Sequence, residues 1–267
     1  MAPAKIYFSR SDRIQPFLEK ALEIFASRLQ GKVLLKPNLV SAEPYPTTTD
    51  PELFRQMIRL LKGQVELAAG DAAASDLVRP GKVLKDHVLA KTAREQGIRF
   101  LDFYREEMTA GEIAPGERLK FSAVPNKFDL VISLPVLKTH INVLLSGALK
   151  NQFGYLDRKE RWRVHFSDRG LIHRAIVGIN RLAPARLFIV DFRETLLASN
   201  EVRHGGKRAR GGWIFAGTDP VALDYFGFSL LKEIEPRLFG KRPEEIAYLD
   251  LAKRSGLGQA QFELVEL

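Results

Sequence analysis

From Lys5 to Phe103 the sequence alternates short apolar runs with longer segments whose apolar residues recur at helical spacing, and this order limits the fold more than any other feature. Lys5 to Ser9 reads as a strand. Ile14 to Leu29 carries Phe17, Leu18, Ala21, Leu22 and Phe25 on one helical face and stops at Gly31. Lys32 to Leu35 is the next strand. Asp50 before Pro51 is an N-cap with proline at the first helical position, and a helix from Glu52 to Lys62 follows. Val65 to Ala69, a helix over Val83 to Gln96 and a strand over Ile98 to Phe103 complete the series. Strand–helix–strand order calls for right-handed crossovers and a parallel sheet.

The pattern weakens between Arg105 and Lys127, where Gly111, Pro115, Gly116 and Pro125 mark turns around one hairpin strand at Leu119 to Val124. It resumes with the continuous apolar run Leu130 to Leu134, the signature of a strand buried on both faces. A helix over Gly170 to Leu182 and a strand over Arg186 to Val190, ending in Asp191, come next. A strand over Trp213 to Ala216, helices over Val221 to Lys232 and Pro243 to Ser255, and a strand over Phe262 to Val265 close the chain. The expectation is a single α/β domain over 1–267. It has a mostly parallel open sheet, helices on both faces and an inserted hairpin region, and any boundary between sub-lobes falls near 105–127.

The chain has 267 residues and no cysteine, which removes disulfides, thiolate metal sites, iron–sulfur clusters and cysteine nucleophiles together. The net charge of +9 favours an anionic partner: nucleic acid, a membrane surface, or a phosphorylated or carboxylated small molecule. A soluble basic surface with no specific partner fits the charge equally well. The first residues lack an apolar core of signal-peptide length, and no apolar run approaches the roughly 18 residues of a membrane span. A cytoplasmic protein without a membrane partner is therefore expected.

Ligands of open parallel sheets sit beyond the carboxyl ends of the strands. The polar residues expected there are Lys36 and Asn38, Asp71, Lys138 and His140, Asp191 and Asp219, with Lys150 and Asn151 on a small-residue helical segment after the central strand. Lys36, Lys138 and Lys150 either hold a phosphate or carboxylate, or include one desolvated amine serving as base or nucleophile, or are solvated surface lysines. His140 shares a face with Lys138 if the segment is extended, and acts as acid or base, as a metal ligand, or as a structural histidine. Lys138 and His140 are the catalytic candidates. Lys36, Asn38, Lys150, Asn151, Asp71, Asp191 and Asp219 are the candidates for binding substrate.

Asn38 and Asn151 orient a ligand or stabilise turns. Asp71, Asp191 and Asp219 could gather around a divalent cation, although Asp219 also suits an N-cap before Pro220. Asp224, inside the following helix, reads as solvent-facing. No histidine pair has metal-ligand spacing, and no phosphate-binding glycine loop, dinucleotide fingerprint or nucleophile elbow occurs. The glycine- and arginine-rich stretch Arg203 to Gly212 reads as a mobile loop, either a lid or plain surface.

Four segments resemble the domain of unknown function 362 family: Lys36-Pro37-Asn38-Leu39-Val40, Leu134 to His140, Gly147-Ala148-Leu149-Lys150-Asn151 through Gly154, and Gly217 to Asp224. The likeness runs from about Lys32 to about Leu231. Many members carry an appended ferredoxin-like cluster domain. With no cysteine here, the resemblance implies no iron–sulfur cluster for this chain, and it names no substrate. The preferred reading is an enzyme acting on a small anionic molecule at a lysine, histidine and asparagine cleft. The alternative is a nucleic-acid-binding protein that uses basic loops 158–163 and 203–210, with Tyr155, Trp162 and Phe166 available for stacking.

Overall fold

In the computed structural model, which describes residues 2–10 and 13–267, the alternating segments pair into an eight-stranded sheet. The strands, in chain order, are β1 (Ala4–Ser9), β2 (Lys32–Pro37), β3 (Glu66–Asp71), β4 (Arg99–Asp102), a hairpin of β5 (Met108–Ala114) and β6 (Glu117–Ser122), β7 (Leu130–Leu134), a second hairpin of β8 (Lys138–His140) and β9 (Leu144–Ser146), β10 (Leu187–Leu197), β11 (Lys207–Gly217) and β12 (Phe262–Glu266). The helices are α1 (Ile14–Ile24), α2 (Pro51–Leu61), α3 (Pro80–Asp86), α4 (Val88–Glu95), α5 (Ala148–Asn151), α6 (Arg158–Phe166), α7 (Arg169–Leu182), α8 (Pro220–Lys232) and α9 (Ala247–Arg254). The sheet order is β12-β1-β11-β10-β7-β2-β3-β4, and all its strands run parallel except β11.

Side chains alternate between the two faces, and each face has its own core. Val33, Leu35, Leu130, Ile132, Leu134, Leu187 and Ile189 pack under α1, α2, α3 and α4. Leu34, Val131, Phe188 and Val190 pack under α5 to α9. Helix starts follow the chemistry of their caps: Asp50 accepts from the Glu52 amide at 3.0 Å, and Asp157, Asp168 and Asp219 cap α6, α7 and α8.

Three expectations need correction. The segment read as one helix over 83–96 breaks at His87, whose Nδ1 accepts the Leu89 amide and starts α4 afresh. The stretch 203–212 is not a loop along its whole length. Only its first residues turn, and from Lys207 onward it is β11, in register with an extended β10 from Leu197↔Lys207 to Glu194↔Arg210. Gly211 and Gly212 serve a bulge between Phe192 and Glu194, where Gly212 adopts φ +79 and a side chain on Gly211 would run into the Phe192 carbonyl.

The third correction concerns direction. A tight connection between β10 and β11 can only join antiparallel strands. The carboxyl end of β11 therefore lies at the rim opposite the one reached by β2, β3 and β7, and Asp219 goes with it.

Candidate active site

Beyond the carboxyl ends of β2, β3 and β7 lies a cavity of about 400 Å³. Its wall includes Lys36, Asn38, Asp71, Lys138, His140, Lys150 and Asn151, which come from four separate segments.

Lys36 is the last side chain but one of β2 and is 1% exposed. Its ammonium donates to Asp71 at 2.8 Å and to the Pro37 carbonyl at 2.9 Å, and the Asn151 amide oxygen lies at 3.5 Å. Asp71 also accepts the amides of Leu39 at 2.7 Å and Ala72 at 2.8 Å, so both carboxylate oxygens are satisfied. Gly154 packs directly on this pair. A Cβ there would stand 2.4 Å from Asp71 Oδ1 and 2.7 Å from Lys36 Nζ, so any side chain would have to displace the pair. Burial lowers the Lys36 pKa, and Asp71 opposes the shift. Asn151 binds the same corner from α5, donating to Ser133 Oγ at 2.9 Å. The Asn38 backbone exchanges hydrogen bonds with Thr49, leaving its side chain in the cavity wall.

The β8–β9 hairpin carries the Lys138-Thr139-His140 triplet. Extended backbone sends the outer two side chains to one face and Thr139 to the other. Thr139 donates to buried Glu235 at 2.6 Å, and Glu235 also accepts the Ala198 amide at 2.6 Å, which ties the hairpin to the turn after β10. Lys138, 1% exposed, donates to the Thr47 carbonyl. Burial pushes its pKa down to about 7, against the pull of Glu201 and Glu43. His140 Nδ1 accepts the Asn142 amide at 3.1 Å, so that nitrogen carries no proton and Nε2–H is the donor. Burial, then the nearby Lys150, His165 and Lys138, hold its pKa well below the ordinary value, which keeps the ring neutral.

Lys150 rides on α5, and α5 is held by Asp224. Asp224 is not solvent-facing: it is 1% exposed and accepts the amides of Ala148 at 2.6 Å and Leu149 at 3.1 Å. Those first amides of a helix have no partner within it, and a buried carboxylate supplies one. Lys150 is 8% exposed and its ammonium lies 3.7 Å from the centre of the Phe153 ring. Among the described residues it has no hydrogen-bond acceptor and no carboxylate partner. Burial drives its pKa well below the ordinary value, and Arg161, Lys138 and Lys36 push in the same direction.

Four further residues line the cavity: Arg161, Trp162 and Phe166, expected only as part of a basic stacking surface, and His165, which was not singled out in the sequence. Arg161 and His165 stand four apart on α6, as do Trp162 and Phe166. The arginine-rich composition of this segment concealed the two pairs, although Asp157 as N-cap was a legible sign of a helix there. Buried Arg161 donates to the carbonyls of Ala73 at 3.0 Å, Leu156 at 3.2 Å and Gly154 at 2.5 Å, and so holds the cavity floor together. His165 Nδ1 lies 2.7 Å from the Arg161 carbonyl, which can only accept, so its Nε2 carries the free lone pair. Burial, with Lys150 next, pushes its pKa down to about 4.

Two expected site residues lie elsewhere. Strand β10 continues through Asp191 to Leu197, so Asp191 is in mid-strand. It is bound by Arg193, with Oδ2 at 2.6 Å, and by the Tyr45 hydroxyl at 3.0 Å. Asp219, at the opposite rim, caps α8 through the amides of Val221 and Ala222 and accepts the Gln259 amide. Asp71, Asp191 and Asp219 therefore do not meet around a cation, and no group of three metal-ligating side chains gathers among the described residues.

The basic segments also differ from expectation. Residues 158–163 are helical. Arg158 donates to the Ser75 and Leu77 carbonyls and Arg163 to Glu160 and the Arg118 carbonyl. Arg203 pairs with Asp76 and Glu201, and Arg208 with Glu194. The guanidiniums of Arg158, Arg163, Arg203 and Arg208 are thus engaged by protein oxygens. No helix among the described residues is long and apolar enough to cross a membrane.

The segments that converge on this cavity fall within residues 33–229, which match the family model described as domain of unknown function DUF362. The chain belongs to the DUF362 family. No curated protein matches it. Among solved structures, this DUF362 chain is similar to the lactate racemase apoprotein from Thermoanaerobacterium thermosaccharolyticum, with a TM-score of 0.54 at 14% identity, over 85% of this chain and 57% of that one. A protein from Thermotoga maritima gives a TM-score of 0.46 at 12% identity, over 90% and 59%. The DUF362 chain thus spans less than two thirds of either, and the racemase likeness shows a shared α/β fold and nothing of its chemistry.

Proposed function

We propose that the chain is an enzyme that binds a small organic anion, a carboxylate or phosphate, in this cavity and moves a proton at a carbon beside the charged group. The observation that carries the reading is Lys150: a largely buried amine in the cavity wall with no acceptor among the described residues, beside Arg161, Lys138 and Lys36. A buried charge ordinarily has a partner, and a ligand anion would supply it.

The roles follow from the contacts. Lys150 takes the anionic group. Lys36 is already neutralised by Asp71 and shapes the wall. His140 offers a fixed Nε2–H to a second oxygen, as a neutral donor rather than a base. Lys138, pushed down to about 7, holds a substantial free-amine population at neutral pH and accepts the proton as general base. The ammonium so formed can return it.

Calorimetric titration of inorganic phosphate, acetate and propanoate into the full chain tests the binding half. Binding should be accompanied by proton uptake, seen as a dependence of the measured heat on the buffer's ionisation enthalpy, and Lys150→Met should lose it. Binding of every anion unchanged in Lys150→Met would reject the site. The proton-transfer half is tested by proton NMR in D₂O. Loss of the hydrogen next to the carboxylate, across a panel of small acids, should require Lys138 and disappear in Lys138→Met.

A further inference from the structure

The cationic floor is only part of the cavity; its wall also includes Ile141, Trp162 and Phe166, whose side chains are 50%, 42% and 76% exposed. Trp162 and Phe166 are stacked at 5.1 Å with their planes 12° apart, and the indole N–H is fixed to the Ser75 carbonyl at 3.2 Å. Large apolar groups left in water beside a cavity are uncommon without a use, and here Trp162 and Phe166 are held together as one stack. Volume points the same way. Even at a water's share of about 30 Å³ per heavy atom, a six-atom acid would fill less than half of the roughly 400 Å³ available.

Resting on the anion-binding reading above, we infer that the ligand is an amphipathic acid: a carboxylate or phosphate head at Lys150 and a planar aromatic or broad apolar body lying against Trp162, Phe166 and Ile141. Aromatic faces favour offset stacking with another ring, and the stacked pair presents such a face already held in position. The interior cations fix the head, and the aromatic pair selects among acids by what lies behind it. A small acid with no body would satisfy Lys150 and leave Trp162 and Phe166 in water.

The test uses matched pairs that share a head: phenyl phosphate against methyl phosphate, and 3-phenylpropanoate against propanoate, titrated calorimetrically into the full chain. The aryl member should bind at least about tenfold tighter, the factor that corresponds to one well-buried ring face. Trp162→Ala and Phe166→Ala should each cut that advantage to about threefold or less, leaving the methyl phosphate and propanoate affinities unchanged. Phe166 is the more exposed of the two, so its variant serves if loss of the Ser75 contact unfolds the first; an undiminished advantage in Phe166→Ala would overturn the inference. Equal affinity within each pair, with both members lost in Lys150→Met, would overturn the inference while leaving the anion site standing. Absence of binding by all four would overturn both. Self-association that disappears in Trp162→Ala, with ligand affinities unchanged, would assign the aromatic pair to a second copy of the chain and overturn it as well.

Discussion

Lys36 and Lys150 invite the same substitution with opposite results. Both are buried lysines in one cavity wall, but Lys36 has Asp71 at 2.8 Å whereas Lys150 has a ring face and no acceptor among the described residues. In Lys36→Met the buried Asp71 keeps the Leu39 and Ala72 amides but loses its counter-charge. Breaking one partner of a buried pair costs about 3–5 kcal/mol. In Lys150→Met the thioether fills nearly the same volume and the desolvated amine is gone. Replacing an uncompensated buried polar group in this way stabilises by about 1–3 kcal/mol. Urea denaturation, with unchanged slope, reads both as shifts of the midpoint. Thermal scans should separate the variants in opposite directions, at about 2–4 °C per kcal/mol for a chain of this size. A Lys150→Met protein destabilised by more than about 1 kcal/mol would mean that Lys150 has a structural acceptor, and the argument for a ligand anion would fail. No substrate needs to be known for this measurement.

Other outcomes follow from the same contacts. The folded state lowers the Lys138 pKa from 10.5 to about 7, so between these values the unfolded chain binds more protons and stability rises with pH, by up to about 1.4 kcal/mol per unit. The difference in stability between Lys138→Met and the parent, measured by urea denaturation from pH 7 to 10, should therefore shrink as pH rises; a constant difference would refute the assignment. Asp224→Asn turns one acceptor for the amides of Ala148 and Leu149 into a donor, and should cost about 1–3 kcal/mol in denaturation while weakening anion binding through α5. Asp219→Ala should cost about 1 kcal/mol as a lost cap, and titration should find anion affinity unchanged because Asp219 lies at the far rim.

The sequence carries the architecture well because two periodicities, 3.6 and 2, are written in its apolar residues and each maps onto a face. The same rule sorts Lys138 and His140 from Thr139 with no structure in hand. Asp219 and Asp191 were misread because strand direction and strand length are tertiary properties: one depends on a hairpin closing between β10 and β11, the other on that hairpin extending β10 past the point where local apolarity fades. Asp224 was misread because helical aspartates are ordinarily solvated, and nothing local reveals that two amides of α5 face it. His165 escaped notice among arginines whose charge suggested a partner outside the protein, while their guanidiniums were engaged within it.

The two cores described above divide the labour unequally. Helices α1 to α4 contribute no side chain to the cavity wall; every cavity residue comes from strand ends, connecting segments, the β8–β9 hairpin or the layer of α5 and α6. Half of the molecule is thus scaffold in the engineering sense. Its outer surface can be recharged for solubility, and the cavity should not register the change.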